Sequence, residues 1–241
     1  MIDQSDIMNA YMQTHLKAYS IKSPPGHITW DWNGTLFNDA GLCLDIFNNM
    51  LERRNLPVLS MDNYLRIFDF PVKSFYVNAG VDLEAESFDD VGTEFIEEYE
   101  RRRLEPDLHD GVEAILESVN RKGVTQSVLS AYKNDTLEQL LNHFGIRNYF
   151  DEVVGNDDYY AAGKLEKGRA WAESTGRDPQ EILIIGDTKH DYEVANTIGS
   201  QCVLISAGNQ HHERLETCGV PVFESLTQFM PELEKVLDPL S

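Results

Sequence analysis

The sequence predicts an α/β protein whose core is a parallel sheet with helices on both faces. Three observations lead there. Short apolar, β-branched runs recur along the 241-residue chain, Ile182-Leu183-Ile184-Ile185 being the most apolar, and such runs fit strands buried on both faces. Segments with helical spacing separate them, which is the alternation of a parallel sheet. Between residues 40 and 105 no strand pattern appears, so a helical block is inserted after the first strand.

Residues 1–22 read as a preliminary helix, with Ile7, Met8, Tyr11, Met12 and Tyr19 at partly helical spacing and Ser23-Pro24-Pro25-Gly26 ending it. It is expected to pack on the core. The first core strand is His27–Asp31. Leu42, Leu44, Ile46, Phe47, Met50 and Leu51 then form an amphipathic helix that breaks near Asn55-Leu56-Pro57. Met61–Phe68 and Val72–Asn78 are short helices, and Phe88–Arg103 a longer one with Phe95, Ile96 and Tyr99 on its apolar stripe. The core resumes near Pro106. Val112, Ile115, Leu116 and Val119 mark a helix that Gly123 closes. Strand Val124–Leu129, a helix through Leu137, Leu140, Leu141 and Phe144, and strand Phe150–Val154 follow. Then come helix Lys164–Ser174, strand Ile182–Gly186, helix Tyr192–Ile198 and strand Cys202–Ile205. An edge strand at Pro221-Val222-Phe223 and a helix over Leu226–Leu237 complete the chain.

Composition narrows the function. The net charge is -21, with 41% hydrophobic and 25% charged residues. That charge argues against nucleic acid, since no basic surface offsets phosphate repulsion, and against anionic membrane surfaces. A small anionic ligand stays open if a metal and a few placed cations neutralise it locally. Cys43, Cys202 and Cys218 form no C-x-x-C pattern, which suggests thiols in a reducing compartment. No segment approaches the roughly 20 apolar residues of a membrane span, and the first residues do not read as a signal peptide. A cytoplasmic protein is expected, with a homodimer left open.

Chemistry concentrates at strand ends. Asp31 heads D-W-N-G-T after the first strand. A carboxylate there sits where open α/β sheets place their sites, although an Asp in that position also suits a helix cap. Val128-Leu129-Ser130 ends in a hydroxyl, Gly163-Lys164 lies in a polar stretch, and Gly186-Asp187 is followed by Asp191 one helical turn on.

In this order and spacing the four segments resemble the motifs of the haloacid dehalogenase-like (HAD) superfamily, and the phosphoglycolate phosphatases within it. The resemblance runs from about Ile28 to the last strands. It implies a Rossmann-like core over residues 23–40 and 106–241 and a small helical cap over 41–105, with residues 1–22 as an extension. The cap would move on linkers near 38–41 and 104–110. The resemblance also implies a Mg²⁺-dependent phosphatase acting on a small phosphorylated metabolite. Asp31 would be the nucleophile. Asp31, Asp187 and the backbone carbonyl of Asn33 would hold Mg²⁺, with Asp191 ordering a metal-bound water or holding Lys164. Ser130, Thr35 and loop amides would bind phosphoryl oxygens, and Lys164 would supply the fixed positive charge, with Lys167 as its competitor.

One residue departs from the pattern. Most family phosphatases carry Asp two positions after the nucleophile, where it protonates the leaving group, and this chain has Asn33. A slower enzyme, a preference for acidic leaving groups, or a substitute acid such as Asp39 or His190 would follow. Two other functions also become open. Phosphonoacetaldehyde hydrolases of the family lack that Asp and use a cap lysine as a Schiff base. Lys73, the only lysine between 40 and 105, would be that amine; otherwise it attracts the substrate's anionic tail. A non-catalytic phosphate-binding protein is the remaining alternative.

Overall fold

Six strands, β1 (His27–Trp30), β2 (Thr125–Lys133), β3 (Glu152–Asn156), β4 (Ile182–Gly186), β5 (Gln201–Ile205) and β6 (Val222–Phe223), form one parallel sheet. Its order is β3-β2-β1-β4-β5-β6. The computed structural model describes residues 21–157 and 163–238. The expected N-terminal helix therefore falls, for residues 1–20, outside the described residues.

The strand order turns at β1, which has β2 on one side and β4 on the other. A crevice at the carboxyl ends of the strands is the consequence of such a reversal. Every residue of β1 and β4 is buried; β4 is continuously apolar, as helices on both faces favour, while His27 and Thr29 of β1 are hydrogen-bonded to Thr125 and Ser127. Trp30 is in register with Val128 on one side and Ile185 on the other. Asp31 N–H donates to the Ile185 carbonyl at 2.8 Å. This pairing delivers Asp31 and Asp187 to the same sheet edge.

Ten helices occur among the described residues. Helices α1 (Ala40–Arg53), α2 (Met61–Ile67), α3 (Val72–Asn78) and α4 (Phe88–Arg102) all lie between β1 and β2. They enclose their own apolar cluster, including Ile46, Phe47, Met50, Tyr64, Phe75 and Val91. Ser60 and Ser87 cap α2 and α4 by accepting from Asn63 N–H and Asp90 N–H. The remaining helices are α5 (Val112–Arg121), α6 (Asn134–His143), α7 (Lys164–Thr175), α8 (Lys189–Ile198), α9 (His212–Glu216) and α10 (Leu226–Leu237). Apolar faces of α5, α6 and α10 share one cluster with Ile28, Trp30 and Val128. On the opposite face Trp171 of α7 and Val194 of α8 pack with Leu129 and Ile184.

The helical block rests on the loop after β5. His211 N–H donates to the Leu65 carbonyl at 3.0 Å, and Gln210 Nε2 donates to the Phe68 carbonyl at 3.0 Å. Arg214 pairs with Asp69 at 2.7 Å and Arg66 with Glu213 at 2.9 Å. No helix of the described residues is long and apolar enough to cross a membrane.

Several element bounds differ from the sequence expectation by one to four residues, α8 among them, which begins at Lys189 and not Tyr192. β2 continues four residues past Leu129 to Lys133, because pairing with β3 resumes at Lys133 and Asn156 after a register shift. Ser130 therefore sits inside β2, at that irregularity, and not at its end. β3 begins at Glu152, two residues later than Phe150. Helix α9, five residues long, is too short to display a helical period.

Candidate active site

Asp31, Asp187 and Asp191 converge at the carboxyl ends of β1 and β4, all buried, with oxygen atoms lying within 4.8 Å of one another. The local chain dictates this. Gly34 takes φ of +77°, a left-handed conformation that glycine adopts without strain. A Cβ at Gly34 would lie 2.1 Å from Asp187 Oδ2, so only glycine admits that carboxylate. After β4, Thr188 and Asp191 form a capping box at the start of α8. Asp191 Oδ2 accepts from Thr188 N–H at 3.0 Å and from Thr188 Oγ1 at 2.7 Å. Its other oxygen accepts from Lys164 Nζ at 2.5 Å. Asp191 is thus a helix cap and a site residue at once.

Lys164 is the first residue of α7 and is 5% exposed. Its ammonium bridges Asp191 and Asp31. Burial opposes the charge, but the carboxylates of Asp191 and Asp31 outweigh it and hold the ammonium above its usual range. Lys164 conversely holds Asp191 below the carboxylate range despite burial. Burial pushes Asp31 up to about 7 against the pull of Lys164. Asp187 makes no ion pair among the described residues and is pushed well above its ordinary value by burial and by Asp31, against a weaker pull from Lys164. Three carboxylates against one ammonium leave an uncompensated negative site in a low dielectric.

Thr35 Oγ1 lies 3.3 Å from Asp187 Oδ1 and 3.5 Å from Asp31 Oδ2, bridging the two acids. Ser130 is 2% exposed and its Oγ accepts from Tyr132 N–H at 3.0 Å. Thr35 reaches the cluster, and Ser130 lines the cavity beside it. Lys167 does not, because its Nζ donates to the Gly155 carbonyl and to Asp157. Lys73 is exposed on α3 and lines an outer groove with Pro71 and Glu166; the groove adjoins the cavity that holds Asp31, but Lys73 does not line that cavity. The buried amine expected of a Schiff-base lysine is absent at that position.

Asn33 turns away from the acids. Its Nδ2 lies 2.7 Å from Asp39 Oδ2 and 2.8 Å from the Tyr99 hydroxyl, which itself donates to Asp39 at 2.6 Å. Asp39 also accepts from Gly34 N–H at 3.0 Å and from the Cys43 thiol. Burial raises the Asp39 pKa, yet with these donors around both oxygens the carboxyl is placed as an acceptor. His190 packs at a tilt against Phe70, with 5.0 Å between ring centroids.

Sequence reasoning missed Asn209. Its backbone N–H and Nδ2 donate to Asp187 Oδ2 at 2.6 and 3.1 Å, and its Oδ1 accepts from the Tyr64 hydroxyl of α2 at 3.0 Å. The available signal was Gly208-Asn209 just beyond β5, another polar residue past a parallel strand end.

The acid cluster opens into a cavity of about 210 Å³ between the helical block and the sheet edge. Its outer wall is aromatic, with Phe68, Phe75, Tyr76, Phe88, Phe95 and Tyr99.

Residues 28–205, well over half of the chain, match the family described as haloacid dehalogenase-like hydrolase. The tyrosine-protein kinase PtkA of Mycobacterium tuberculosis is 25% identical over 80% of this chain and 66% of PtkA, just under two thirds of that relative. A phosphoglycolate phosphatase of Rhodobacter capsulatus is 24% identical over 75% of this chain and 84% of its own. In structure, a predicted phosphatase from Clostridium acetobutylicum aligns with a TM-score of 0.70 at 21% identity, covering 89% of this chain and 98% of that one. The Mycobacterium tuberculosis PtkA structure aligns with a TM-score of 0.72 at 21% identity, over 87% and 98%. The chain belongs to the haloacid dehalogenase-like hydrolases, and its relatives make it phosphoglycolate phosphatase-like among them.

Proposed function

We propose that the protein is a Mg²⁺-dependent phosphatase that hydrolyses a small phosphate monoester in the cytoplasm through an aspartyl-phosphate on Asp31. Residues 23–40 and 106–241 act as the hydrolase core and 41–105 as the cap. The observation that carries this reading is the buried cluster of Asp31, Lys164, Asp191 and Asp187 at the sheet's switch point, facing a cavity under the helical block.

The residues suit a hard divalent cation. All donors are oxygens, Asp187 makes no ion pair among the described residues, and the glycine at position 34 lets the Asp187 carboxylate approach the turn. Asp31, Asp187 and the Asn33 carbonyl would hold the ion, with Asp191 beside them. When bound, Mg²⁺ neutralises the anionic phosphoryl group and draws it towards the equally anionic nucleophile.

The chain's own side chains do the rest. Asp31 attacks phosphorus, and the ester oxygen leaves in line. Lys164 and the hydroxyls of Ser130 and Thr35 stabilise the equatorial oxygens, acting from positions fixed before substrate arrives. Asp191 keeps Lys164 charged and aimed. Water then hydrolyses the acyl phosphate and regenerates Asp31. The cap excludes bulk water while this occurs.

Exposure of Lys73 argues for this chemistry over carbon–phosphorus cleavage, which needs a desolvated amine beside Asp31. A binding-only role predicts ligand-induced stabilisation without turnover. The test is inorganic phosphate release from a panel of monoesters and phosphonoacetaldehyde with Mg²⁺, using Asp31→Asn as the control. Metal-dependent release lost in Asp31→Asn supports the reading. Release from phosphonoacetaldehyde alone, or none from a folded sample, overturns it.

A further inference from the structure

We infer that the substrate is an aryl phosphate, a phosphate ester of a phenol, and not a carboxylated or polyhydroxylated alkyl phosphate. This rests on the phosphatase reading above and names the leaving group.

The first observation is the wall that faces the acid cluster. Phe68, Phe75, Tyr76, Phe88, Phe95 and Tyr99 line the cavity of about 210 Å³. An apolar cavity of about 150 Å³ already admits benzene, so one substituted ring fits. Three of the four lining tyrosines have their hydroxyls engaged and so present ring surface. Tyr64 donates to Asn209 and Tyr99 to Asp39, while Tyr132 donates to Glu100. Aromatic rings set edge-to-face or offset against one another suit a further ring. Phe68 and Phe75 already meet edge-on at 5.3 Å.

The second observation is the charge of that wall. Among the described residues, Lys164 is the single lysine or arginine side chain lining the cavity, and it bridges Asp31 and Asp191. The cap's arginines are held in ion pairs and none lines the cavity. Arg54 meets Glu86 and Glu94, Arg102 meets Glu105 and Asp45, and Arg103 meets Glu100. Lys73 is exposed in the outer groove. A substrate carboxylate would be buried without a cation, while Asp39 and Glu100 sit in the same lining. Unpaired charge in an apolar site is strongly unfavourable. Phosphoglycolate carries such a carboxylate.

The third observation is independent of the wall. Asn33 cannot protonate a leaving oxygen, and Asp39 beside it is surrounded by donors. An alkoxide, close in basicity to hydroxide from water at about 15.7, departs poorly unless protonated. A phenolate, with a conjugate acid near 10, departs unaided. In the step, Asp31 forms the new O–P bond as the P–O(aryl) bond breaks. The electron pair leaves with the phenolate, which takes a proton from solvent. Water then cleaves the acyl phosphate to Asp31 and inorganic phosphate. Pocket and leaving-group chemistry thus select the same class.

The test measures kcat/KM with Mg²⁺ for phenyl phosphate, benzyl phosphate and 2-phosphoglycolate. Phenyl phosphate should exceed 2-phosphoglycolate by at least about 100-fold, from the unpaired carboxylate. It should exceed benzyl phosphate, which shares the ring but leaves as an alkoxide, by about 100-fold. Ile96→Lys adds a cation to the cavity wall and should narrow the first ratio at least tenfold, with the circular dichroism unchanged. Equal rates for phenyl and benzyl phosphates would overturn the phenol assignment and point to a proton donor such as His190. Preferred turnover of 2-phosphoglycolate would overturn the substrate class while leaving a phosphatase. Silence with all three esters and with the wider panel would overturn the phosphatase reading, and this inference with it.

Discussion

Replacing Asn33 by Asp gives the residue that family phosphatases carry, and the structure predicts what this costs. Asn33 Nδ2 lies 2.7 Å from Asp39 Oδ2 in a buried setting. Two ionised carboxylates at that separation repel by roughly 6 kcal/mol at an effective dielectric constant of about 20. The pair avoids this by keeping one proton. Holding a proton on a carboxyl whose unfolded pKa is about 3.9 costs about 1.4 kcal/mol per pH unit above that value. The upper bound is therefore about 1.5 kcal/mol at pH 5 and about 5.6 kcal/mol at pH 8. The sign follows directly: above about pH 4 the folded variant binds more protons than the unfolded chain, so its stability falls as pH rises. Relative to the natural chain, Asn33→Asp should lose an additional 2–4 kcal/mol or so between pH 5 and pH 8 in urea unfolding, allowing for relaxation. Asn33→Asp with Asp39→Asn puts an amide back in the pair and should remove most of that pH dependence. A deficit equal at both pH values, or none at pH 8, would refute the argument. The retained proton also provides an acid at the cavity, so alkyl esters should gain on aryl esters in this variant.

Other outcomes follow from single contacts. His27 is buried, with its ring nitrogens 2.7 Å from Thr125 Oγ1 and 2.9 Å from Ser127 Oγ. Burial, helped by Arg177, lowers its pKa from 6.5 to about 4. The unfolded chain then binds the extra proton between those values, so up to about 3 kcal/mol of stability is lost as pH falls from 6.5 to 4. His27→Gln should flatten that part of the urea-midpoint profile, and an unchanged slope would contradict it. Asn209→Ala removes a donor to Asp187 and should weaken Mg²⁺ binding by roughly 10–100-fold in calorimetry; an unaltered affinity would remove Asn209 from the site. Gly34→Ala puts a methyl 2.1 Å from Asp187 Oδ2, and displacing that carboxylate should cost at least about 100-fold in kcat. Activity near the natural level would show that the turn yields.

The sheet was legible because β1, β4 and β5 are apolar runs of a length that only buried strands share. The acids were legible for a related reason. Asp31 and Asp187 sit one residue past strands, and Asp191 follows at one helical turn, so local sequence and final position coincide. Lys164 was placed by resemblance, since nothing in Gly163-Lys164 announces a buried ammonium. Asp39, Tyr99 and Asn209 were not read as one neighbourhood with Asn33 and Asp187. They come from α1's approach, α4 and the loop after β5, and only tertiary packing joins them. The apolar stripe of α4 was visible as a stripe. That Phe95 and Tyr99 also form a cavity wall depends on how four helices settle on the core, which no helical period encodes. Ser130 was expected at a strand end, because the sequence shows where apolarity stops and β2 continues in more polar residues.

Asn209 has a consequence beyond local geometry. Its amide oxygen takes the Tyr64 hydroxyl of the helical block, while its two N–H groups take Asp187. On the proposal that this block is a cap, occupancy of the acid cluster and seating of the cap bear on one side chain. Equilibria joined in this way are linked, and the linkage is reciprocal. If a seated cap raises the affinity of the cluster for its cation by some factor, the cation favours the seated cap by that same factor. The aromatic chamber and the acid site would then assemble as a single event, and a phenylalanine at position 64 should make them separable.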